Sequence, residues 1–173
     1  QPKIVSAGAL VTGGLDFDGV DDYLASGSNF TSSQPVTFIH LSSTRNLTTT
    51  AGIVNIAVND VTTPELNSFY RSDGGFAINA GETLTSAPGT MYATGTEYLR
   101  FDSYNTTSSE IFVNSSSVAS GTAGVSTFNN KIILGKFLTL PLSGTIEEVI
   151  IYDSDQSANR AAIEANIILQ YDI

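Results

Sequence analysis

Seven glutamates, a single histidine and a run of four aspartates are the side chains of this 173-residue chain best suited to acid, base or metal chemistry. Glycoside hydrolysis needs two carboxyl groups facing one another, about 5–5.5 Å apart in retaining enzymes. The glutamates stand at 65, 82, 97, 110, 147, 148 and 164. Glu147 and Glu148 are adjacent, and neighbours on a strand point to opposite faces. No hydrolytic pair is expected, and the chain reads as a non-enzyme. His40 lies in Val36–Leu41, in alternation with Val36 and Phe38. That pattern predicts a core or edge histidine with a local hydrogen bond, and no Gly-x-Ser-x-Gly elbow supplies a nucleophile. With no cysteine, disulfides, thiolate zinc sites and cysteine nucleophiles are excluded.

Binding chemistry has more material. Asp16, Asp18, Asp21 and Asp22 fall within seven residues. Such hard oxygen donors suit calcium, although the spacing is not that of an EF-hand; in turns the same residues accept backbone N–H bonds. Carbohydrate recognition needs an aromatic platform and planar polar groups. The candidates are Tyr70, Arg71, Asp73, Tyr92, Tyr98, Tyr104, Asn105 and Asn129, and Tyr70-Arg71-Ser72-Asp73 is the densest cluster. A site of Tyr70, Arg71, Asp73, Tyr104 and Asn105 is expected, against the alternative that tyrosines in a β-protein pack across strands. Four Asn-x-Ser/Thr sequons, at Asn29, Asn46, Asn105 and Asn114, are what a chain with 41 Ser and Thr residues carries by chance.

The charge balance narrows the partners. Seven basic residues against seventeen acidic ones give a net charge of −10. The basic residues are scattered, so no stripe neutralises phosphates, and neither nucleic acid nor an anionic membrane is expected as a partner. No apolar run is long enough to insert in a bilayer. A surface of hydroxyls and amides with few charges is common in extracellular β-proteins. The length suits one domain, residues 1–173, and the first residue, Gln1, suggests a fragment of a larger chain.

Short apolar runs bounded by Gly, Asn, Asp, Ser or Pro predict many strands. They are Lys3–Ala7, Leu15–Phe17, Asp22–Ala25, Val36–Ser42, Gly52–Val58, Glu65–Arg71 and Gly74–Ala80. Further along come Thr90–Ala93, Glu97–Ser103, Ser109–Asn114, Ser117–Ala119, Lys131–Lys136 and Thr145–Asp153. One helix is predicted over Ser157–Tyr171, with Ala158, Ala161, Ala162, Ala165, Ile168 and Leu169 as its apolar stripe and Ser157 as its cap.

The segment Leu15-Asp16-Phe17-Asp18-Gly19-Val20-Asp21-Asp22-Tyr23-Leu24 resembles the opening motif of the laminin-G-like, concanavalin A-like lectin/glucanase superfamily. Other pieces fall in that family's order: Pro35–Ile39, Glu110–Asn114, the "leucine-glycine" strand Lys131–Gly135, and the closing strand Gly144–Tyr152. Where the family usually has an Asn-Gly turn, this chain has Asn114-Ser115. The resemblance implies an antiparallel β-sandwich of jelly-roll type with one short C-terminal helix. Its hydrolases carry Glu-x-Asp-x-x-Glu on one strand, a pattern missing here. It further implies a non-catalytic, lectin-like adhesion module, of the kind found in phage virion proteins and secreted bacterial proteins, binding cell-surface polysaccharide or glycan. No cofactor is required; a structural calcium would use Asp18, the Gly19 carbonyl and Asp153. The location implied is extracellular or on a virion surface. The alternative is a decoration or fibre module that contacts other virion or fibre subunits without binding sugar. Ile150, between Val149 and Ile151, would then mark the contact if nothing in the chain covers it.

Overall fold

The computed structural model describes residues 13–46, 48–57, 64–89 and 93–173, with Pro2 and two short backbone stretches ahead of them. Those stretches are β1 (Val5–Ser6) and β2 (Ala9–Leu10). Then follow β3 (Leu15–Asp18), β4 (Leu24–Ser33), β5 (Val36–Thr44), β6 (Ala51–Ala57), β7 (Pro64–Tyr70), β8 (Phe76–Asn79) and β9 (Thr83–Thr85). After these come β10 (Glu97–Tyr104), β11 (Ser109–Val113), β12 (Ser116–Gly121), β13 (Thr127–Leu134), β14 (Lys136–Phe137), β15 (Leu140–Pro141) and β16 (Ser143–Tyr152). A 3-10 turn, Ser157–Asn159, leads into the helix α1 (Arg160–Tyr171). Among the described residues, no helix is long and apolar enough to cross a membrane.

Two six-stranded antiparallel sheets form the expected sandwich. The first has the order β12-β11-β10-β5-β16-β3 and the second β4-β13-β6-β7-β8-β9. Alternation along each strand sends one set of side chains inward. Phe17, Phe38, Ile53, Ile56, Leu66, Phe76 and Ile111 meet there with no exposure. The opening and "leucine-glycine" motifs interlock: Gly135 has φ +79°, and a Cβ there would run into the Phe17 ring.

Polar sequence hides some strands. β4 runs on to Ser33, although the apolar pattern ends at Ala25, because an edge strand needs only one inward contact, Phe30 stacked 5.9 Å from Phe128. β9 also lacks an apolar run, and the short β14–β15 hairpin, though apolar, lies beyond the predicted Lys131–Lys136 strand. In Thr90–Ala93, residues 90–92 lie outside the described residues, and Ala93 is not in a strand.

The core also contains charge. Arg100, on β10, is wholly buried and holds Asp102 on the same strand at 2.8 Å. Its guanidinium crosses the interior to donate to the carbonyls of Phe69 on β7, at 3.2 Å, and Ala77 on β8, at 3.4 Å. It also lies 5.0 Å over the Phe76 ring. The Arg100 charge, aided by bonds from His40 and Ser68, keeps the Asp102 carboxyl below its ordinary pKa, although burial alone pushes it up.

The helix covers the outer face of the first sheet, but with a different side from the one the alanines suggest. Ile163, Ile167 and Tyr171, spaced by four, pack on Ile39, Leu41, Leu99, Phe101, Phe112, Ile150 and Tyr152. Ala158, Ala161, Ala162 and Ala165 are exposed, as are Ile168 and Leu169. Three large side chains bury more area than a row of methyls, and so set the rotation of the helix. Arg160, paired with Glu164, lies 4.0 Å over Phe112. Ser157 does not cap the helix: the N-cap is Asn159, with no side-chain cap bond, and Ser157 N–H instead donates to Asp155 Oδ1 at 2.9 Å in the turn ahead of it. The helix packs against Ile150 and leaves it half-buried, so the chain itself takes up much of that contact.

Two outcomes follow from this packing. Asn114 and Ser115 both have positive φ, 46° and 68°, in the two-residue turn between β11 and β12. Ser115→Gly removes a left-handed Cβ penalty and should stabilise the protein by about 1 kcal/mol in urea melts. Arg100→Met leaves the Asp102 carboxylate buried without its partner and should destabilise by about 3–5 kcal/mol in the same assay.

Candidate functional site

His40 stands among the groups of a catalytic triad, but the hydrogen bonds run in another order. Ser68 Oγ donates to Asp102 Oδ2 at 2.6 Å. Its proton thus committed, Ser68 accepts from His40 Nε2–H at 2.9 Å. His40 Nδ1 therefore accepts from Ser42 Oγ, 3.0 Å away. Burial drives the His40 pKa down, with the Arg100 charge acting in the same direction; the Asp102 bond and charge oppose them. The imidazole is neutral, the serine proton points to the carboxylate, and His40, Ser68 and Asp102 have no exposure. This is a structural core histidine, as its alternation with Val36 and Phe38 predicts.

The expected sugar residues do not assemble. Tyr70 and Tyr104 are wholly buried and cannot present a ring to a ligand. Tyr70 donates its hydroxyl to the Ser42 carbonyl at 3.0 Å. Tyr104 packs edge-on against Phe38, 5.0 Å away, opposite Val36. Ser42 and Val36 are six residues apart on β5, about 20 Å along a strand, so the two tyrosines belong to opposite ends of the sandwich. Arg71 and Asp73 pair with each other and brace the β7–β8 turn; Arg71 also donates to the Ser86 carbonyl and Asp73 accepts from Gly75 N–H. Asn105 donates to Asp155 at 3.3 Å. Tyr98 packs on Phe76 at 5.5 Å, Asn129 accepts from Thr31, and Tyr92 lies outside the described residues.

The calcium set also separates. Asp18 pairs with Ser143 at the start of β16, whereas Asp153 follows its last residue, about 30 Å away along the strand. Asp16 instead pairs with Arg45 at 2.6 Å. Asp18, Asp21 and Asp22 do bring carboxylate oxygens within 4.8 Å of one another around the Gly19 turn. Their hard donors fit a divalent cation, but two of the carboxylates already brace the turn. Asp22 Oδ2 accepts Asp18 N–H at 3.2 Å, and Asp18 Oδ1 accepts Val20 N–H at 2.8 Å.

One acid pair escapes the sequence. A bulge between Ile146 and Glu148 breaks the alternation of β16. Both carboxyl groups then act on the Tyr171 hydroxyl at the end of α1; it donates to Glu148 at 3.0 Å and has a raised pKa, chiefly through burial. Glu147 also hydrogen-bonds Glu97 of β10, and partial burial, that bond and the Glu97 charge raise its pKa to about 7. Side chains in direct contact leave no gap for a glycosidic bond between them.

Among the described residues, no helix lies on the outer face of the second sheet. Register places Ile133, Asn55, Asn67, Asn79 and Thr83 in one row across β13, β6, β7, β8 and β9. Their strand neighbours Ile56, Leu66 and Ile78 point into the core, so the amides point outward. Beside them Phe69 stacks on Phe137 of the β14–β15 hairpin at 4.9 Å, and Asn55 Nδ2 donates to the Lys136 carbonyl. Three amides in line are a polar stripe on a sheet face, built from residues with no common motif.

The Glu147 pair has a pH consequence. Its folded pKa is raised, so its stabilising contribution is complete below about pH 4.5 and is lost as pH rises through about 7. Thermal melts should show the wild-type Tm falling relative to that of Glu147→Gln across this window.

No family model matches the chain, and no curated protein matches it in sequence. Solved structures match it in shape. The heptameric SAP-like pentraxin of Limulus polyphemus gives a TM-score of 0.66 at 12% identity, over 84% of this chain and 77% of that one. Trypanosoma rangeli sialidase in complex with sialic acid gives 0.64 at 13%, over 95% of this chain but 28% of the sialidase. Domains LG4-5 of the mouse laminin α1 chain give 0.59 at 17%, over 79% of this chain and 40% of theirs. With its sheet order, its capping helix and these likenesses, the chain has the fold of the concanavalin A-like lectin/glucanase superfamily.

Proposed function

We propose that this chain is a lectin-like module that binds carbohydrate without altering it, displayed on a secreted protein or a virion. The observation that supports this reading is the difference between the two outer faces: the helix packs on one, and the other bears an amide row, with Asn55 and Asn67 buried and Asn79 half-buried, beside an aromatic pair. Amides and aromatic rings are what a sugar's hydroxyls and its apolar face require. The non-catalytic part rests on the chemistry of the acids and the histidine. Glu97 and Glu147 touch, and the His40 network is sealed inside the sandwich. A surface rich in hydroxyls and poor in charge supports an extracellular setting.

A second reading, assembly with other virion or fibre subunits, has one observation in its favour. The outward side of α1 bears Ala161, Ala165 and Leu169, the last 83% exposed, and Ala158 in the turn before it is exposed as well. Isolated apolar residues of this kind are ordinary, but a stripe of them suits helix contacts.

A polysaccharide and glycan array, run with calcium and again with EDTA, tests the two together. Binding to a defined set of glycans that persists in EDTA is expected. No binding by folded protein, with light scattering showing self-association that Leu169→Glu abolishes, would replace the lectin reading with assembly.

A further inference from the structure

A groove of about 440 Å³ runs along one side of the helix, between α1 and the end of β16. That is room enough for a small ligand. The packing that seats the helix also makes the groove. Ile150 and Tyr152 alternate outward from β16 to meet Ile163 and Ile167 of α1, and these four side chains form its apolar floor and walls. Its rim is polar. Gln156 comes from the turn ahead of the helix, Asn159 from the N-cap and Asn166 from two turns further on. Asn159 and Asn166 are exposed, and Tyr152 and Gln156 half-buried, so the groove opens to solvent. Gln156 is braced at both ends: its Nε2 donates to Ser154 Oγ at 2.9 Å, and its Oε1 accepts from Asn159 Nδ2 at 2.8 Å. Among the described residues, no hydrogen bond engages Asn159 Oδ1, the Asn166 amide or the Tyr152 hydroxyl, and no charged side chain lines the groove.

Amides and a phenol over aliphatic surface match the hydroxyls and the C–H face of a sugar. We propose that this groove is a saccharide site, separate from the amide row of the other sheet, and that it takes a neutral oligosaccharide of at least two residues. The assignment rests on the glycan-binding reading above, to which it adds a place and a ligand class. The length follows from the helix. Asn159 and Asn166 are seven residues apart, about 10 Å along the axis, farther than the hydroxyls of one pyranose reach. The neutrality follows from the lining. A sugar carboxylate or sulfate needs a Lys or Arg to pair with, and none lines the groove, in a chain of net charge −10.

The test compares wild type, Asn166→Ala and Ala162→Trp by thermal melts without ligand and by calorimetric titration with the glycans that the array selects. Asn166→Ala removes an amide that holds nothing in place, and alanine favours the helix, so its unliganded Tm should equal or exceed that of wild type. Ala162→Trp fills the groove from an exposed position on the same helix. Wild type should bind a neutral disaccharide or longer chain in preference to its monosaccharide, and that binding should weaken at least about tenfold in both variants. If wild type binds glycan and both folded variants bind it equally, the groove is overturned and the lectin reading survives. If only acidic glycans bind, the neutral ligand class is overturned. If wild type binds no glycan, the lectin reading falls and takes the site with it. Self-association that Ala162→Trp abolishes, without glycan binding, would overturn the sugar assignment in favour of a second copy of the chain.

Discussion

The guanidinium of Arg100 reaches from one sheet to the backbone of the other, and this crossing fixes how the two layers lie together. Apolar burial between sheets is non-directional: a slide by one residue would bury much the same area. The same slide would leave the Arg100–Asp102 pair intact within β10 but strip Arg100 of the Phe69 and Ala77 carbonyls and Asp102 of the Ser68 hydroxyl, leaving buried charge with unmet hydrogen bonds. Ser68 and His40 extend the constraint, because one belongs to the second sheet and the other to the first. The arrangement resembles a catalytic triad only in composition. Its protons are all committed inward, so it acts as a key between the layers.

With the layers fixed, the two outer faces take different roles. Large residues on one side of the helix cover the apolar outer face of the first sheet, and Tyr171 ends that contact against Glu147 and Glu148. Among the described residues, the second sheet receives a short hairpin, held by Asn55 and by the Phe69–Phe137 stack. Its amides lie on the outer side of the sheet, with Asn55 and Asn67 buried there. The helix-packed face and the amide-bearing face thus share one core.

Much of the fold was legible because its signals are local. Leu15 and Phe17 alternate with aspartates, and Phe17 is buried as that alternation requires. The closing strand and the terminal helix were likewise readable as elements. Their details were not. The bulge at Glu147 arises from how β16 meets β5, and the helix turns by the bulk of Ile163, Ile167 and Tyr171, which a count of apolar positions weighs no more than alanines. The site was less legible still. Tyr70 and Tyr104 looked suited to a sugar because a phenol is half polar, but the Tyr70 hydroxyl finds its partner inside and Tyr104 packs on Phe38. Asn55, Asn67 and Asn79 are twelve residues apart each time, and only strand register brings them into line.

The position of β16 has a consequence for synthesis. It is made near the end of the chain, yet it lies inside the first sheet, between β5 and β3. Thr44 waits one hundred residues for its partner Gly144. Until then one side of β5, whose nine residues are all buried in the finished protein, is a long, unfilled edge able to pair with any other strand. A nascent or truncated chain that stops short of Ser143 presents that edge to its neighbours. A pairing that must wait for the end of the chain therefore also guards it against aggregation.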